Sequence, residues 1–197
     1  MSVPDARNAL NRFMPMKIIE TCIPDIIHLR PDVYRDKRGL FVETFRDERY
    51  ATFGIHGPFV QDNLVHSHKN VFRGLHFQLP PYEQAKLITM IHGEILDVAL
   101  DLRKDSKTYL KAELIKISAE DHDQLFIPAG FAHGYYVLSG EAIITYKVTK
   151  PYAPDHQGGI RWDCPEAGLS EMIKHPLLSE QDKHLPFLND LLSKNLF

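Results

Sequence analysis

Short apolar segments, interrupted by turn residues at close spacing, constrain this chain more than any other feature. Segments rich in Val, Ile, Phe and Tyr fall at 17–21, 26–30, 40–45, 59–64, 71–78, 85–91, 95–101, 110–117, 124–127, 133–138 and 142–149. Turn chemistry separates them: Arg30-Pro31-Asp32, Asp36-Lys37-Arg38-Gly39, Leu79-Pro80-Pro81, His92-Gly93, residues 103–106 and 119–123, and Leu138-Ser139-Gly140. None of these segments is long enough for an amphipathic helix, and several alternate with period two. Many short strands in succession predict an all-β sandwich or barrel. No Gly-rich loop joins a strand to a helix, which argues against a Rossmann or P-loop nucleotide site.

The ends read differently. Residues 1–15 are expected to form a flexible leader, and 16–197 a single domain. After 165 the pattern loosens, and Phe187, Leu188, Leu191 and Leu192 predict a short C-terminal helix against the strands.

Bulk properties exclude whole classes of function. A net charge of −3 with no long basic block argues against a nucleic-acid binder. No segment reaches the roughly 18 apolar residues of a membrane helix, and the N-terminal stretch has no apolar export core. Cys22 and Cys164 stand far apart with no CxxC, so a reducing, cytoplasmic setting is the expectation.

Chemistry concentrates in a few places. Arg73-Gly74-Leu75-His76-Phe77-Gln78 puts Arg73, His76 and Gln78 on one strand. Residues 128–133 end in His133, while Lys86 and Asp97 each interrupt an apolar strand. Two imidazoles, a cation and a carboxylate on strands are the parts of a proton-transfer centre. Blander readings compete: a core histidine at 76, a structural His133–Asp97 pair, a packing tyrosine at 146, a lysine at 86 reaching the edge, and a solvated Asp182.

These stretches resemble the dTDP-4-dehydrorhamnose 3,5-epimerase family, nucleotide-sugar epimerases of the cupin-like jelly-roll class. The matching pieces are 23–26, 36–43, 60–63, 70–78, Lys86, 93–106, 126–139, 146–154, 158–162 and 178–182. The general cupin pattern has His-x-His in its first motif. This chain has His76-Phe77-Gln78, so one potential metal ligand is the weaker donor Gln.

The resemblance implies a cupin-like jelly-roll barrel with short flanking helices, mainly C-terminal. It implies epimerisation at C3 and C5 of a nucleotide-linked 4-keto-6-deoxyhexose through an enolate, without metal or other cofactor. His76 would be the base, oriented by Asp182, and Tyr146 the donor on the opposite face. Lys86 and His133, the latter held by Asp97, would flank the enolate oxygen. Arg73, Gln61, Asn63 and Tyr152 would contact the nucleotide sugar. Arg38, Phe41 and Glu43 lie in a segment that family members exchange with a partner subunit, which implies a homodimer. The family pattern has His-Ser where this chain has Leu64-Val65, and Lys where it has Gln181. The sugar and nucleotide therefore stay open.

Rival readings are a single-site epimerase, a 3,4-ketoisomerase, and a non-catalytic sugar-nucleotide-binding barrel. A further rival is a metal-dependent cupin using His76, His133 and Glu83 or Gln78.

Overall fold

Alternation along the strands decides how this chain layers. The computed structural model describes residues 16–192 and 196–197; the expected leader at 1–15 lies outside them. The strands are β1 (Met16–Ile19), β2 (Ile27–Pro31), β3 (Tyr34–Asp36), β4 (Gly39–Phe41), β5 (Gln61–His68), β6 (Phe72–Gln78) and β7 (Lys86–His92). They continue as β8 (Glu94–Asp101), β9 (Ala112–Ser118), β10 (Gln124–Ile127), β11 (Phe131–Val137), β12 (Glu141–Val148) and β13 (Gln157–Gly159). One short helix, α1 (Asp47–Ala51), follows the β3–β4 hairpin, and α2 (Glu180–Lys183) lies near the C-terminus.

The strands form a six-stranded sheet, β1-β2-β10-β7-β12-β5, and a five-stranded sheet, β13-β6-β11-β8-β9, with β3-β4 apart. Pairing between named strands is antiparallel throughout. From β5 onward each strand passes to the other sheet, except that β8 and β9 stay together. The two sheets are not joined by any strand ladder among the described residues. The expected barrel is corrected to two open sheets facing each other. Apolar side chains between the sheets bring them together, while backbone pairing ends at each sheet's own edge.

Three apolar layers follow from period two. Ile95 and Ala99 of β8 point between the sheets with Ile88, Met90, Phe131, Val137 and Ile144. Leu96, Val98 and Leu100 of the same strand point to the opposite side, where Ile160, Cys164, Leu169, Ile173 and Leu188 cover them. Each buried Leu or Ile stabilises the fold by about 1.5–3 kcal/mol relative to exposure. The outer face of the six-stranded sheet is covered at one end by Tyr50 of α1 and Ile55, against Leu29 and Leu87. The Tyr50 hydroxyl donates to Gln124 Oε1 at 2.6 Å, which ties α1 to β10.

The expected short helical pieces near the C-terminus are α2 and one further turn. Leu188–Asp190 is a single 3₁₀ turn, and Leu188, Leu191 and Leu196 are buried on the five-stranded sheet. Pro186 and the lack of a sustained helical period explain why one turn suffices. Among the described residues no helix is long and apolar enough to cross a membrane.

One glycine is required where the chain changes sheets. Gly93, between β7 and β8, has φ +76°, and a Cβ there would lie 2.1 Å from the Glu141 carbonyl oxygen.

Candidate active site

Between the two sheets lies a cavity of about 340 Å³. The six-stranded sheet contributes Val65, Lys86, Ile144 and Tyr146; the other contributes Arg73, His76, His133 and Tyr135. Ser179, Gln181 and Asp182 line its remaining side.

A regular strand would separate Arg73 from His76, because residues three apart face opposite ways. Here His76 pairs with His133 and Arg73 with Tyr135, so β6 carries one extra residue opposite Gly134. Gly74, at φ +118°, lies in this bulge, and a Cβ there would come within 2.6 Å of the His133 carbonyl oxygen. The bulge turns Arg73 back to the side of His76, a common use of bulges beside sites. Phe72 and Leu75, also three apart, are brought to the outer core by the same irregularity.

His76 Nε2 lies 2.6 Å from Asp182 Oδ1, across 106 positions of sequence. Asp182 is placed by its helix: Ser179 is the N-cap of α2, and its hydroxyl accepts the Asp182 backbone N–H at 3.1 Å. Such a cap contributes roughly 1 kcal/mol. Burial pushes the Asp182 carboxyl up, but hydrogen bonds from His76, Ser179 and the Gly74 backbone, with the His76 charge, hold it below its ordinary value. Asp182 is therefore a carboxylate at neutral pH, suited to fix the imidazole's orientation.

The second imidazole sits deeper. His133 Nε2 lies 2.9 Å from Asp97 Oδ2, with both side chains buried. Burial pulls the His133 pKa down against the opposing pull of Asp97, with Lys86 and His76 lowering it further. Lys86 is brought down to about 8 by burial, partly offset by Asp97. The Lys86 side chain makes no hydrogen bond among the described residues, and Asp97 Oδ1 is buried without one. The ammonium is thus in the cavity wall with donors to spare.

Two phenols complete the walls. Tyr146 on β12 has its pKa raised by burial, against the Arg73 charge. Tyr135 on β11 has its hydroxyl 3.1 Å from Ser67 Oγ, which also accepts from Arg73 Nε at 3.0 Å. Tyr135 and Ser67 are residues that sequence reasoning did not single out. Alternation was the available signal: Ser67 shares the inward face of β5 with Gln61, Asn63 and Val65.

The remaining sequence candidates lie away from this cavity. Gln61 donates to Asn63 Oδ1 at 2.8 Å and accepts the Tyr152 backbone N–H. Asn63 lines a neighbouring hollow that shares Tyr146 with the main cavity. Tyr152 is 58% exposed and donates to Gln157 Oε1. Arg38 and Phe41 stand on the β3–β4 hairpin, every residue of which is exposed, and Arg38 pairs with Asp36 at 2.6 Å. Glu43 pairs with Arg49 at 2.7 Å.

The metal-cupin reading finds little support in these positions. Gln78 donates to the Tyr82 and Pro151 carbonyl oxygens and accepts from the Ala153 N–H, pinning two loops. His76 and His133 each face a different carboxylate, and neither joins a group of three or more convergent His, Cys, Asp or Glu side chains among the described residues.

Comparison with known proteins agrees with this architecture. The sequence profile of dTDP-4-dehydrorhamnose 3,5-epimerase matches residues 20–190. The chain is 43% identical over 171 residues to the dTDP-4-dehydrorhamnose 3,5-epimerase of Methanothermobacter thermautotrophicus, covering 85% of this chain and 92% of that protein. The crystal structure of the Bacillus anthracis dTDP-4-dehydrorhamnose 3,5-epimerase, with TDP and PPi bound, superposes with TM-score 0.84 at 41% identity, covering 88% of this chain and 100% of that one. The Legionella pneumophila dTDP-6-deoxy-D-glucose-3,5-epimerase, in complex with dTDP-4-keto-L-rhamnose, gives TM-score 0.84 at 39% identity over 89% and 94% of the two chains.

Fold and relatives together define an enzyme, an isomerase on an all-β scaffold. The chain belongs to the dTDP-4-dehydrorhamnose 3,5-epimerase family.

Proposed function

We propose that this enzyme inverts C3 and C5 of a dTDP-linked 4-keto-6-deoxyglucose, by proton removal and return at carbons next to the ketone. One observation carries the reading: His76 and Tyr146 reach the same cavity from opposite sheets. A flat sugar ring between them meets a base on one face and a proton donor on the other, which inversion requires.

The steps then balance. His76, aligned by Asp182, takes the hydrogen from the carbon as a proton, and the electron pair moves onto the ketone oxygen. Lys86 stabilises that enolate oxygen by charge and hydrogen bonding, and His133 is assigned to the same side of the cavity. Tyr146 returns a proton to the opposite face, and solvent restores both groups. No redox step occurs, so the reaction calls for no cofactor.

Arg73 is assigned to the sugar diphosphate, supported by its position in the wall and by the fit of guanidinium to phosphate oxygens. Gln61, Asn63 and Tyr152 are assigned to the nucleotide side. Arg38, Phe41 and Glu43 are assigned to the site of a partner subunit in a homodimer. That assignment accords with the solvent-facing hairpin carrying Arg38 and Phe41, neither of which is among the residues that line its own chain's cavity. A jelly-roll arrangement and a cytoplasmic setting complete the proposal.

The test is deuterium uptake from D₂O into dTDP-4-keto-6-deoxyglucose, followed by proton NMR with a chelator present. Uptake at both C3 and C5 is expected. Uptake at one carbon identifies a single-site epimerase, and no uptake overturns the reading for this substrate.

A further inference from the structure

The outer face of the six-stranded sheet carries a second constellation, unrelated to the cavity. His66 and His68 are two apart on edge strand β5, so both side chains leave the same face. Glu141 stands directly opposite His68 on β12, and opposed residues of an antiparallel pair share a face. His92 reaches this group through an irregularity of its own. Ile143 and Ile144 pair with His92 and Met90, so β7 has an extra residue at Ile91. That bulge turns His92 away from the inward row of Lys86, Ile88 and Met90.

Four side chains from three neighbouring strands thereby converge. His66 Nε2 lies 2.8 Å from Glu141 Oε2, and His92 Nε2 lies 3.7 Å from Glu141 Oε1. One nitrogen each from His66 and His68 and one oxygen of Glu141 all lie within 4.8 Å of one another. The His66 and His68 rings are 5.2 Å apart and tilted by 64°.

We propose that His66, His68 and Glu141, with His92 as fourth ligand, form a surface site for one divalent transition-metal ion of the zinc type. Imidazole nitrogens with one carboxylate suit such ions, whereas calcium and magnesium favour all-oxygen shells. Tetrahedral coordination at about 2.0–2.1 Å places donor atoms roughly 3.3 Å apart. Small rotations of these half-exposed side chains close the remaining distance. The bound ion clips edge strand β5 to β12 and β7, and stabilises the folded chain by mass action. None of the four residues lines the cavity around His76.

The probe is Co²⁺ alone, followed by visible absorption and by calorimetric titration, then Zn²⁺ in competition. One ion per chain is expected, with a tetrahedral cobalt spectrum that Zn²⁺ bleaches. His68→Ala and Glu141→Gln should each weaken binding by about tenfold or more, on the scale known for changes around metal sites. The double variant His66→Ala/His68→Ala should abolish it, while His56→Ala, outside the convergent group, should leave it intact. Zn²⁺ should raise the melting temperature of the wild-type chain and not that of the double variant. Turnover should be the same in all these proteins. No uptake, uptake that survives the double variant, or one ion per two chains with a doubled mass overturns the proposal.

Discussion

Two histidines on adjacent strands of one sheet each pair with a carboxylate, and their settings differ. His76 leans on Asp182 from a short helix, and its side chain is 31% exposed toward the cavity. His133 leans on Asp97 from its own sheet, and its side chain is only 9% exposed. The first pair sits where water and a ligand can exchange protons with the ring. The second shares its buried surroundings with the Lys86 ammonium, and burial holds His133 toward its neutral form. Identical chemistry is thus divided by environment into an imidazole open to the cavity, suited to move a proton, and a buried imidazole held neutral beside the Lys86 ammonium.

The sharpest test of this division is His76→Asn. It should lower kcat by about 10³-fold, within the range for removing a general base, while stability changes by less than about 1 kcal/mol in urea unfolding. Near-normal turnover would erase the distinction between the two pairs.

Next in size is Lys86→Met. It should lower kcat by roughly 10²-fold, on the scale of losing one oxyanion donor, and should raise the melting temperature by a few degrees. The sign follows from linkage: between about 8 and its ordinary 10.5, folded Lys86 binds fewer protons than the unfolded chain. Burial therefore destabilises the wild-type fold at neutral pH, and stability recovers as pH rises through that window. For the same reason wild-type turnover should decline as pH passes about 8, where Lys86 loses its charge. A rate that stays level to pH 10 would count against a charged Lys86 in the reaction.

The carboxylates sharpen the comparison from the other side. Asp97→Asn should cost about 3 kcal/mol of stability, because Lys86 loses its buried counter-charge and His133 its hydrogen-bond partner. Asp182→Asn should cost less stability and act mainly on kcat, since the partner it orients is open to the cavity. Equal stability losses would mean that the two pairs are equivalent.

The smallest expected effect belongs to Tyr135→Phe. It removes a hydroxyl beside Ser67, at a cost of roughly 1 kcal/mol. The loosened Ser67–Arg73 contact should appear as a few-fold rise in KM with kcat nearly unchanged.

Most of the strands were legible from composition and turn residues. The segments expected at 85–91, 95–101 and 124–127 differ from β7, β8 and β10 by at most a residue or so at each end. The short pieces were not legible. β3 and α1 escaped notice because three to five residues carry too little period to register, and β13 because Gln157-Gly158-Gly159 has no apolar alternation. Among the site residues, His76, Lys86, His133, Tyr146, Asp97 and Asp182 do meet at or beside one cavity. Arg38, Phe41 and Glu43 do not line it within one chain.

By itself, then, the sequence determined the strand-rich class, the residue types of the candidate site and the layers that period two creates. Those depend on local properties, the side chain and its immediate neighbours. Register and long-range approach were decided only in three dimensions. The bulge opposite Gly134 puts Arg73 beside His76 although strict alternation would part them. The pairing of His76 with Asp182 closes over 106 positions. Nothing local encodes such contacts. They arise when the ladder of β6 and β11 and the docking of the C-terminal segment satisfy backbone and burial together.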